Sequence, residues 1–138
     1  MNAKEYLNQA YRLNELIASN ELEMKDLEEL KCSLGAIDYS KDRVQTSSSS
    51  DAGYTRIVHA IADLESAIRE DTEKLLHLKL EIRTVINELQ DNEQKLVLKY
   101  RYLNFMEWEN VAEELCVSKR TAIRIHDVAI ENIVVPES

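Results

Sequence analysis

The sequence has little that would let a chain turn sharply. Its 138 residues include two glycines and one proline, so long uninterrupted helices are expected. Aromatic residues make up 6% of the chain, with one Trp and one Phe. The apolar content, 44% in all, is mostly Leu, Ile, Val and Ala, the usual filling of helix–helix seams. The two cysteines, Cys32 and Cys116, lie far apart in sequence. They read as free thiols of a reducing compartment rather than as a staple. No apolar run approaches the ~20 residues needed to cross a bilayer. The opening MNAKEYLNQAYRLNEL has no signal-peptide core, so a soluble, cytoplasmic protein with no membrane partner is expected.

Positive charge is also scarce. The formal net charge is −9, which argues against nonspecific, charge-driven binding to nucleic acid by the chain as a whole. The distribution is uneven. Residues 1–90 carry 11 Lys/Arg and 17 Asp/Glu, whereas residues 91–135 carry 6 and 8. The stretch Ser118–His126 holds Lys119, Arg120 and Arg124 and no acid. An acidic protein that binds DNA needs a local cationic surface of this kind.

Apolar and small residues recur at 4-3 spacing through Tyr6, Ala10, Leu13, Ile17, Met24, Leu27 and Leu34, with Asn20 as a polar gap. The spacing predicts a helix over 4–34, ended by Gly35. Residues 36–54, with the run Ser47–Ser50, Asp51 and Gly53, predict a polar loop. Ile57, Ile61, Leu64, Ile68, Leu75, Leu78, Ile82, Val85 and Leu89 continue a heptad seam, with Asp71 as its polar exception. This predicts a helix over 55–90. Folding the two helices together pairs Leu64 with Leu27, Leu78 with Leu13, Val85 with Tyr6 and Asp71 with Asn20. A matched polar level can fix register at some cost in stability. An antiparallel, coiled-coil-like hairpin over 1–90 is therefore expected. Two helices alone bury little, so self-association into a four-helix or larger bundle is expected as well.

From Asp91 the spacing shortens. DNEQKLVLKYRYL predicts a helix with Leu96, Tyr100 and Leu103 on one face, capped by Asp91 or Asn92. After the break at Asn104–Met106, EWENVAEELC predicts a second helix with Trp108, Val111, Ala112 and Leu115 inward. Ser118 is a good cap for a third, KRTAIRIHDVAIENI, with Ala122, Ile125, Ala129 and Ile133 inward. Three short helices in about 45 residues is the size of a minimal helix-turn-helix domain. The fold class expected is all-α: the hairpin, then a helix-turn-helix domain over 91–135. Recognition helices place their N-terminal residues against base edges and phosphates. Arg120 and Arg124 are the candidates for bases, and Ser118, Lys119 and Thr121 for the backbone.

The segment LVLKYRYLNFMEWENVAEELCVSKRTAIRIHDVAI resembles the C-terminal part of ArpU/RinA-type late transcription regulators of phages and prophages, which have a sigma-factor region-four-like fold. The resemblance rests on Leu98, Arg101, Tyr102, Trp108, Ala112, Leu115, Ser118, Arg120, Thr121, Arg124, His126 and Ala129. It implies a DNA-binding transcription regulator acting on phage genes, with RNA polymerase as a further partner. Two positions depart from that pattern. Glu107 stands where Ser or Thr would cap the second helix, and Cys116 stands where Gly is common in the turn. The acids Glu107, Glu109, Glu113 and Glu114 also make the second helix strongly negative.

Other readings of single residues are structural. Trp108, Tyr100 and Tyr102 are expected in or beside the core, and His126 in a packing or hydrogen-bonding role. Arg101 divides evenly between a structural ion pair and a phosphate contact. His59, His77 and His126 show no metal spacing with the cysteines, and no Gly-rich phosphate loop is present. No catalytic residue, metal or cofactor is expected, and the protein is not read as an enzyme. Beside transcription regulation stand two alternatives: a small-terminase-like recognition subunit for DNA packaging, and a protein-interaction module that binds no DNA.

Overall fold

The computed structural model describes residues 1–40 and 47–136. Among the described residues the protein is all-helical. Five α-helices follow in order: α1 (Ala3–Ser40), α2 (Ser47–Asn87), α3 (Asn92–Leu98), α4 (Trp108–Leu115) and α5 (Lys119–Asn132). A π-helical segment, Lys99–Leu103, continues α3. None of these helices is long and apolar enough to cross a membrane.

The end of α1 and the start of α2 exceed their expected bounds. Asn2 and Glu5 start α1 with a reciprocal cap: the Glu5 N–H donates to Asn2 Oδ1 at 2.8 Å, and Asn2 Nδ2 donates to Glu5 Oε1 at 2.9 Å. Gly35 does not stop the helix, which runs on to Ser40. The run Ser47–Ser50 is not a loop but the first turn of α2, and the helix continues through Gly53. A lone glycine costs a helix about 1 kcal/mol relative to alanine, and serine less, so neither forces an end where the rest of the helix is supported. The expected loop over 36–54 is thus corrected: residues 36–40 and 47–54 are helical, and residues 41–46 lie outside the described residues. At its other end α2 stops at Asn87 rather than 90, and tightens through Leu89 N–H to Ile86 O at 3.0 Å.

Contacts divide the chain into two compact units, and the division runs across both long helices. One unit comprises Glu15–Glu73. Ile17 and Ile61 are its buried apolar side chains among the described residues. Met24, Leu27, Leu34, Ile57, Leu64 and Ile68 are half-buried. Gly53 lies against Leu34, close enough that a Cβ there would sit 3.7 Å from Leu34 Cδ1.

The other unit comprises Met1–Asn14 and Lys74–Ser138. Its larger core joins Tyr6, Leu7 and Ala10 of α1, Ile82 and Ile86 of α2, and Leu89 just beyond, with Leu98, Tyr102, Ala129 and Ile133. Full burial of each large aliphatic side chain there contributes about 1.5–3 kcal/mol. Leu7 and Ile86 lie beside the predicted seams rather than on them. They are buried because the C-terminal helices cover that flank. A second core gathers Val97, Val111, Ala112 and Ala122 between α3, α4 and α5. Helix α3 is shared by both cores, so it buries Val97 and Leu98 and leaves Leu96 40% exposed. The inward face predicted through Leu96 is therefore corrected, since the two cores and the π segment break its period.

Tyr6 donates to Glu81 Oε1 at 2.7 Å, and Val85, its expected level on α2, packs against the same core. In the other unit Leu34 lies against Gly53, one turn from its expected level at Ile57.

Candidate nucleic-acid interface

The local sequence around 107–121 explains how α5 is aimed. Glu107 begins α4 with extended backbone and no side-chain cap, as expected from the departure at that position. The helix ends at Cys116, whose φ of 58° and ψ of 41° are left-handed. Val117 N–H donates to Ala112 O at 3.0 Å and Cys116 N–H to Glu113 O at 3.2 Å, the paired bonds of a Schellman ending. The turn thus keeps the form a glycine would favour, at a cost of about 1–2 kcal/mol for a side chain there. Ser118 then caps α5: its Oγ accepts from Thr121 N–H at 3.1 Å and donates to Thr121 Oγ1 at 2.9 Å.

Behind this turn a buried polar group braces α5. His126 is 4% exposed. Its Nε2 lies 2.6 Å from the Tyr102 hydroxyl and its Nδ1 3.1 Å from Asp127 Oδ1, with the Trp108 ring edge-on against it. Burial holds the imidazole below its ordinary pKa, against the upward pull of Asp127. The neutral ring then donates from Nδ1 and accepts from Tyr102, whose own pKa burial pushes up to about 12. The π segment brings Tyr102 to this position. Arg101 lies 4.8 Å over the Trp108 ring and donates to Met106 O at 2.9 Å. Its engagement is structural, through a carbonyl and a ring rather than an acid of α4.

The five candidate contact residues fall into three groups. Ser118 and Thr121 are occupied with each other at the cap. Lys119 is paired with Glu109 Oε1 at 2.9 Å, both side chains well exposed. That hydrogen bond holds the Glu109 carboxyl below its ordinary pKa and neutralises one acid at the start of α4. Arg120 and Arg124, one turn apart, are both exposed and show no hydrogen-bond or ion-pair partner among the described residues. Arg124 also lines a hollow of about 200 Å3 with Asp91, Glu93, Gln94, Ile125 and Val128. Sequence reasoning did not foresee the Lys119–Glu109 pair, although opposite charges at the starts of consecutive short helices were a signal for it. Nothing in the sequence signalled the Tyr102–His126 contact, because the π segment sets it.

Among the described residues no cluster of His, Cys, Asp or Glu could hold a metal ion. Cys32 and Cys116 are free and exposed. What these residues define is an all-helical protein with a cation-bearing helix held on a capped turn. The chain belongs to the family described as protein of unknown function (DUF1492), which matches residues 33–134. No curated protein and no solved structure matches the chain.

Proposed function

We propose that this chain is a phage- or prophage-encoded transcription regulator that binds double-stranded DNA in a sequence-specific manner. In this reading α4, the turn and α5 form a helix-turn-helix, and α1 and α2 form an antiparallel hairpin that assembles copies of the chain. The observation that carries it is the pair Arg120 and Arg124, exposed one turn apart on the first half of α5 and aimed by the Ser118 cap. The Lys119–Glu109 pair supports it by reducing the negative charge beside that surface. Assembly is supported by the apolar side chains left exposed among the described residues of Glu15–Glu73, with Leu16, Leu22, Leu30 and Val58 among them. RNA polymerase is a further proposed partner, on the resemblance of this segment to region-four-like domains.

Titration of the full chain against the upstream DNA of its own operon, at two salt concentrations, tests the reading. Binding is expected at low salt and should weaken steeply as salt rises. An Arg120→Ala/Arg124→Ala variant should bind about 30-fold or more weaker, since a bidentate arginine–base pair contributes about 1–3 kcal/mol of discrimination. Equal binding by the variant, or none by the wild type, would remove the DNA-binding reading.

A further inference from the structure

A second stripe runs along α2 beside the seam that this helix buries. Ile57, Ile61, Leu64, Ile68 and Leu75 are buried or half-buried. One position further round stand Val58 and Leu76, 38% and 54% exposed, and one turn beyond them Tyr54 and Leu80, 40% and 49% exposed. Between Val58 and Leu76 the same stripe carries Ala62, Glu65, Arg69 and Thr72, all exposed. At about 100° per residue these positions share an arc about 80° wide and about 39 Å long. The next face of the helix, through Asp63, Glu70, Lys74 and His77, is polar. Four large apolar side chains are thus exposed in one line, with an acid and a base at its centre. Neither Glu65 nor Arg69 has a hydrogen-bond or ion-pair partner among the described residues.

The stripe complements itself when reversed. Glu65 and Arg69 stand two residues either side of Ala67, Ala62 and Thr72 five, Val58 and Leu76 nine, and Tyr54 and Leu80 thirteen. A second copy of α2 laid antiparallel, with a two-fold axis level with Ala67, therefore sets apolar against apolar towards both ends. It sets small against small further in, and acid against base at the centre. A parallel copy would set Glu65 on Glu65 and Arg69 on Arg69, where like charges repel. Charged residues in the middle of an apolar seam fix register and orientation at some cost in stability. The exposed leucines of α1 lack this property. Leu16 and Leu30 lie seven residues either side of Glu23, so a two-fold axis there would set Glu23 against its own copy.

We infer that two copies of the chain dimerise through this stripe of α2, antiparallel about Ala67, with Glu65 of each copy paired to Arg69 of the other. The inference rests on the proposed assembly of copies and not on DNA binding. With α1 on the neighbouring seam of each α2, two hairpins joined this way form a four-helix bundle.

Sedimentation of the full chain, alone and in mixtures, tests the charge pairing. Glu65→Arg and Arg69→Glu should each weaken self-association about tenfold or more, because each turns two attractive pairs into two repulsive ones. Mixed in equal amounts, the two variants should recover to within about threefold of the wild type, since each supplies the charge that the other lacks. A folding defect in either variant would not be repaired by mixing. Orientation is read by cross-linking with a short bismaleimide in a Cys32→Ser/Cys116→Ser background. A Val58→Cys chain should join a Leu76→Cys chain, but neither should join its own kind, because like positions lie about 27 Å apart along the pair. Unchanged association of both charge variants, no recovery on mixing, or Val58→Cys joining itself in preference would overturn this interface while leaving assembly in place. A wild-type chain that stays monomeric even at millimolar concentration would remove the assembly reading and this inference with it.

Discussion

His126 shows how one buried side chain couples α5 to its support. It is a neutral imidazole between Tyr102, Trp108 and Asp127. In the unfolded chain its pKa is about 6.5, and burial lowers it in the fold. As pH falls, the unfolded state therefore takes up the proton first. The stabilisation from neutral His126 is complete above about pH 6.5 and declines as pH drops through the window below. Urea unfolding at pH 7.5, 6.5 and 5.5 should show a falling midpoint for the wild type. His126→Gln keeps an acceptor for Tyr102 and does not titrate, so its midpoint should vary less; equal slopes would count against this account. Arg101 and Trp108 carry the resemblance to region-four-like domains in the sequence, yet in the fold they serve each other and Met106 O. Their residue types were visible in the sequence, but their partners depended on packing.

Helix boundaries in the C-terminal third were legible because their signals are local. Asp91 accepts from the N–H groups of Glu93 and Gln94, and Ser118 from that of Thr121. Such caps need only the next three residues. The end of α4 was legible from Ser118 following so closely, whereas the left-handed conformation of Cys116 had no signal of its own, since a cysteine disfavours it. Cys116→Gly should relieve that conformation and stabilise the protein by about 1 kcal/mol, seen as a higher urea midpoint with an unchanged m value. A lower midpoint would show that the cysteine side chain contributes packing that outweighs its backbone strain. At the end of α1 and the start of α2, serine and glycine were misleading. Their propensities cost a helix at most about 1 kcal/mol each, too little to end α1 at Gly35 or to delay α2 beyond Ser47. The π segment had no sequence signal at all. It appears where Tyr102 meets His126 and where Asn104 N–H closes onto Lys99 O at 3.0 Å.

At the scale of the whole molecule, the proposed hairpin can be checked where Leu34 meets Gly53. A Leu34→Cys/Gly53→Cys variant, in a Cys32→Ser/Cys116→Ser background, should give an intrachain product with a short bismaleimide at low protein concentration. Only interchain products would mean that α1 and α2 pair between copies instead. By itself the sequence determined that the described residues are helical, where their short helices begin, and which face of α5 carries Arg120 and Arg124. These properties follow from local energetics: the scarcity of glycine and proline, side-chain caps, and a 3.6-residue period. Tertiary structure alone decided that Leu7 and Ile86 join the core, that α3 is shared by two cores, that Lys119 belongs to Glu109, and that Tyr6 bonds to Glu81. Each of these depends on which surfaces meet across long stretches of chain. A heptad pattern repeats every seven residues, so it fixes which face of a helix is buried without fixing the level at which a partner meets it.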